Sequence, residues 1–182
     1  MKLLSLILCL LLTAAFAWAG MLINPYRYVV AGGGGGTSYA NAGGTGNRSG
    51  IISIATSGSA FVGTVGVMID GSLASTGFYF GGAGTAGDYI SFDFGSDKII
   101  DEVRWTNNAP FEHGVWKLQG SADNSSYSDL GASFTLGSTS TATSTHPVSN
   151  TSGFRYYRLT KVSGANSGSP WLYEIEFKIG TP

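Results

Sequence analysis

The sequence predicts an all-β fold, an antiparallel β-sandwich of jelly-roll type, on three observations. Several short stretches alternate apolar and polar residues with the two-residue period of a half-buried strand: Ile90, Phe92 and Phe94 interleave with Tyr89, Ser91 and Asp93. Gly, Ser, Asn and Pro clusters separate these stretches, which is turn chemistry. Beyond residue 19 no segment repeats its apolar positions at helical spacing. A chain of 182 residues suffices for one domain with its own core.

Taken in order, residues 1–19 read as a secretory signal: Lys2, the apolar run Leu3 to Leu12, and Ala17-Trp18-Ala19 as a small-x-small cleavage site. Cleavage leaves an extracellular chain without stable membrane insertion, and it removes Cys9, the one cysteine, so neither disulfide nor thiol chemistry is expected. Residues 20–47 read as an N-terminal arm and a Gly-rich linker, with five glycines at 32–36 and no lysine in a phosphate-loop pattern. The arm, Met21 to Val30, is a candidate for self-assembly, and Met21 is an alternative start. Residues 48–180 make up the sandwich. Ile51 to Thr56 is the first expected strand and Val65 to Ile69 a short apolar run. A strand over Tyr89–Phe94 stops at Gly95-Ser96-Asp97, and a second covers Lys98–Thr106, where Asp101 falls on the apolar parity and predicts a bulge. Asn107 to Pro110 begins a loop. Val115–Ser121, a return strand through Phe134 and Leu136, Phe154–Val162 and Trp171–Ile179 complete the set.

Several motifs in this order resemble the discoidin, or coagulation-factor C-type, domains: ISFDFG, IIDEVRW, WKLQGSADNSSYSDLG, FRYYRL and WLYEIEF, with MIDGSLAST upstream. The resemblance covers about Arg48 to Ile179 and implies the galactose-binding-like β-sandwich shared with bacterial carbohydrate-binding modules. It also implies a structural calcium ion, held by Asp70 with Ser75 or Thr76 and by Glu174. The hydroxyl residue and its following aromatic sit about one residue late for that pattern. The alternative is that Asp70-Gly71 is a plain turn and Glu174 a solvated strand residue. Ser121 to Ser125 resembles an aspartate box, for which a structural turn is the expectation.

Composition narrows the function. Charged residues are 12% and the net charge is −1, with no basic patch for nucleic acid. His113 and His146 are the only histidines and neither accompanies a GxSxG elbow. Glu174 and Glu176 are neighbours on one strand face, whereas a glycosidase pair flanks its substrate. The expectation is therefore not an enzyme but a secreted module that recognises a glycan or surface polysaccharide. Sugar recognition uses an aromatic face with amide or imidazole groups, and Asn107, Asn108, Phe111, His113, Trp171 and Tyr79 on the loops at one end of the sandwich are the candidates. Trp105 and Trp116, inside strands, are expected in the core, and Arg155 and Arg158 are expected to pack or form ion pairs. The alternative reading is a structural subunit of a virion, filament or cell-surface assembly with the sandwich facing outward.

Overall fold

The computed structural model describes residues 36–58, 60–73, 77–80, 85–107, 112–137, 143–164 and 172–182, and the signal, Met21 and the Met21 to Val30 arm lie outside them. Among the described residues the strands are β1 (Ser53–Thr56), β2 (Ala60–Val62), β3 (Tyr79–Phe80), β4 (Tyr89–Asn107), β5 (Glu112–Ser121), β6 (Ser128–Gly137), β7 (Thr143–Pro147), β8 (Phe154–Ser163) and β9 (Leu172–Gly180). Val65–Ile69 forms a single 3-10 turn that buries Met68 and Ile69. All the pairings are antiparallel.

β4 organises the molecule. Its first part lies in a sheet of order β1-β4-β8-β5-β6, and its second part pairs with β7 on one side and β9 on the other. The sequence predicts a turn at Gly95-Ser96-Asp97; instead the strand continues through a bulge there, with the pairing to β8 shifting between Asp93 and Lys98. Gly95 makes this possible with φ +71, and its N–H donates to Asp93 Oδ1 at 2.8 Å. A local bend carries the chain from one layer to the other without ending the ladder. The bulge expected near Asp101 is present, as a register shift against β9 between Ile100 and Glu102.

The two layers meet through aromatic edges. Phe177 of β9 lies 5.0 Å from Phe92 and 5.3 Å from Phe94 between ring centroids. Trp105 and Trp116 are fully buried, as their strand positions predict. On β9 the expected apolar parity holds for Ile175, Phe177 and Ile179, but it breaks at the β4 irregularity between Thr106 and Asn107, where Leu172 is buried instead.

The Gly-rich linker expectation fails over residues 36–47. Ser38 exchanges both backbone hydrogen bonds with Ile179, at 2.9 and 3.1 Å, and the Asn41 amide donates to the same Ile179 carbonyl. Thr37 donates to Asp101 and Tyr39 to Glu102. The domain thus begins before Arg48. Composition signals backbone freedom, but here the glycines let the chain turn closely against β9 rather than leaving it loose.

Candidate functional site

The rim loops were the expected place for a ligand. Asn107, at the end of β4, is fully buried, and His113, on β5, is 2% exposed with its ring against Trp105 at 5.9 Å. Burial, and secondarily the Lys161 charge, pulls the His113 imidazole down to about 3. Neither residue presents a polar group to solvent, which corrects their assignment as ligand contacts. The reason is that both strands extend further toward the loop than the Asn107 to Pro110 signal implies, so these positions fall on inward faces. Asn108, Phe111 and Trp171 lie outside the described residues, and for Tyr79 the structure describes only a backbone position in β3.

The expected calcium position contains a different cation. Arg48 is fully buried, and its side chain donates from Nε to Gly46 O at 2.9 Å, from Nη1 to Gly44 O at 3.2 Å and to Ile175 O, and from Nη2 to Met68 O at 3.4 Å. Nη2 also closes an ion pair with Glu174, whose other carboxylate oxygen accepts the Gly71 N–H at 3.0 Å. Asp70 is turned into its own loop, accepting from the Ser72 N–H at 2.8 Å. Ser75 and Thr76 are outside the described residues. Glu174 is therefore not a solvated strand residue: at 4% exposure its carboxylate is already engaged by Arg48 and Gly71, and the described residues do not fit calcium. No group of three or more His, Cys, Asp or Glu side chains converges among the described residues.

A cavity of about 380 Å³ opens at this position, lined by Gly46 and Gly71 with Glu174, Arg104, Thr106 and Glu176. Its charges are mutually satisfied: Arg104 pairs with Glu176 at 2.6 Å and stacks over Tyr39 at 4.3 Å, and Thr45 donates to Glu176. The Arg104 bond, together with Thr45, holds the Glu176 carboxyl below the usual range against the opposing effect of burial.

An exposed aromatic groove lies elsewhere, on the outer face of the five-stranded sheet. Ala55 of β1, Tyr89 and Ser91 of β4, Arg158 of β8, and Asn124 and Tyr127 from the β5–β6 turn enclose about 270 Å³. The guanidinium of Arg158 lies 3.9 Å from the Tyr127 ring centroid and 5.5 Å from that of Tyr89. Its Nε donates to Gln119 Oε1 at 2.7 Å, and the Gln119 amide is fixed in turn by Asp129. The turn is built by the box-like motif. Asp123 Oδ1 accepts the N–H groups of Ser125 and Ser126 at 2.9 and 2.8 Å, which holds its carboxyl far below the usual range. Ser121 Oγ accepts the Asn124 N–H, and Asn124 takes a left-handed φ of 60. The expected structural role of this turn is thus what sets Asn124 and Tyr127 beside Arg158. Arg155, by contrast, pairs with Asp93 as expected. The outward parity of Tyr89 was the one sequence signal for this groove; nothing in the spacing joins it to Tyr127 and Arg158.

No protein-family model and no curated protein matches this chain. Solved structures do. The C-terminal domain of a chitobiase from Bacteroides fragilis superimposes with a TM-score of 0.56 at 18% identity, over 72% of this chain and 94% of that one. The family 32 carbohydrate-binding module of C. perfringens NanJ, in complex with galactose, gives 0.56 at 12% identity, over 73% of this chain and 97% of that one. A truncated AlyQ with CBM32 and alginate lyase domains gives 0.53 at 22% identity over 72% of this chain, which spans only 33% of its length. These likenesses establish the fold: an antiparallel sandwich of the discoidin-like, galactose-binding-like type that the motifs resemble.

Proposed function

We propose that this chain is a secreted, non-catalytic module that binds carbohydrate, and that Tyr89, Tyr127, Arg158 and Asn124 form a binding face. The observation that carries this reading is the groove itself. Two half-buried tyrosine rings line it, Tyr127 with Arg158 over its ring and its hydroxyl donating to Asn124 Oδ1 at 2.5 Å, while the guanidinium and the Asn124 amide supply planar N–H donors for hydroxyls. Arg158 is held through Nε by Gln119, so its planar fork is already oriented before a ligand arrives. The fold supports the class, since its structural neighbours include sugar-binding modules; the leader read in residues 1–19 supports secretion. Trp171, with Asn108 and Phe111, remains the proposed second contact at the rim loops.

A glycan array followed by calorimetry tests the proposal. Losing one stacking ring is worth about 1 kcal/mol, so Tyr127→Ala weakens binding by roughly five- to tenfold. Arg158→Gln weakens it further, and Trp171→Ala reports on the rim. Array-positive binding that is unchanged in Tyr127→Ala and Arg158→Gln excludes the face, and an unchanged Trp171→Ala excludes the rim.

A further inference from the structure

Arg48 and Glu174 meet in the interior, where an unpaired charge is costly. A guanidinium has five N–H donors in a fixed fork. In this site Arg48 has five oxygen partners: the carbonyls of Gly44, Gly46, Met68 and Ile175, and the Glu174 carboxylate. Carbonyls and one carboxylate gathered from a loop, a 3-10 turn and a strand are also the donor set that calcium takes. A divalent ion placed here would face a resident positive charge. An arginine guanidinium keeps its charge in proteins, and here five oxygens surround it.

We propose that Arg48 is the built-in cation of this domain, closing the aspartate-glycine loop onto β9 with a guanidinium where the resemblance implies a metal ion, so that the fold is independent of calcium. The Gly71 backbone packs against Gly46 and Asn47 so closely that a Cβ at position 71 would lie 2.6 and 2.7 Å from their atoms. The loop, the segment before Arg48 and β9 are thus drawn together around one charge, and Arg48 is the hub of all three.

Thermal melts of the full chain provide the test. The wild-type midpoint is expected to be the same in millimolar calcium chloride and in excess EGTA; a midpoint raised by calcium overturns the proposal. Arg48→Met leaves Glu174 buried and unpaired and lowers the midpoint by on the order of 10 °C. Arg48→Lys keeps the charge but not the fork, so it loses less; equal losses overturn the role of the charge. Glu174→Gln falls with Arg48→Met, and the double variant is no worse than the more damaged single one. Additive losses would show that the two residues do not act as a pair. If Arg48→Met does not fold, the wild-type metal titration and the Arg48→Lys comparison still decide the question.

Discussion

His113 makes stability depend on pH in a way that can be worked out from its surroundings. The side chain is 2% exposed, and its Nε2 has no hydrogen-bond partner among the described residues. Its pKa is about 3 in the fold against roughly 6.5 in the unfolded chain. Because the folded value is the lower one, the unfolded state binds the proton more readily, and acid favours unfolding. The contribution is whole above about pH 6.5 and is lost progressively as pH falls toward about 3. At pH 5 the unfolded imidazole is mostly protonated and the native one mostly neutral. Linkage then costs about 2 kcal/mol relative to pH 7, from about 1.4 kcal/mol per unit over roughly 1.5 units. That figure barely changes if the folded value rises by about a unit, because at pH 5 the unfolded value sets it. The variant His113→Gln cannot titrate. Urea unfolding of both proteins at pH 7 and pH 5 isolates the effect, since His146, Asp93 and Asp129 are common to both. With a slope near 2 kcal/mol per molar, the wild-type midpoint is expected to fall by about 1 M more than that of the variant. Equal falls would refute the buried, neutral assignment of this histidine.

Three further outcomes are expected. Phe177→Ala removes the ring joining Phe92 to Phe94 and lowers unfolding free energy by about 3–5 kcal/mol in chemical denaturation. Gly71→Ala meets both a left-handed φ of +79 and the Gly46 and Asn47 backbone; a loss of at least about 1–2 kcal/mol is expected, and a neutral result would show that the loop can open. A chain begun at Arg48 melts well below one begun at residue 36, with a loss of roughly 2 kcal/mol or more, because it lacks the Ser38, Asn41, Thr37 and Tyr39 hydrogen bonds; equal midpoints would restore the linker reading.

Much of the sheet architecture was legible because strand pairing leaves a short-range trace. Alternation located β4, β5, β8 and β9, and the parity conflict at Asp101 located a bulge. Trp105 and Trp116 were placed in the core by the same reasoning. Loop signals were less informative. Gly95 looks like a chain break, yet strand continues through it, and β4 reaches Asn107, because a ladder already held by β8 and β9 overrides local turn preference. Ser38 and Asn41, inside the Gly-rich stretch 36–47, carry no mark of their docking on Ile179.

The candidate site divides in the same way. Residue type suggested aromatic and amide groups, but not which of them would share one groove. Tyr89, Tyr127 and Arg158 come from β4, a turn and β8, and only sheet order sets them side by side. Arg48 is the sharper case: its partner Ile175 is 127 positions away, and Glu174, taken as a metal ligand, proves to be held by that same arginine. By itself the sequence determined which segments could be strands and which faces would be apolar, since both follow from spacings of a few residues. The tertiary structure alone decided which charge meets which and which polar groups remain exposed. Those outcomes depend on burial and on partners distant in sequence, and neither is encoded in any local pattern.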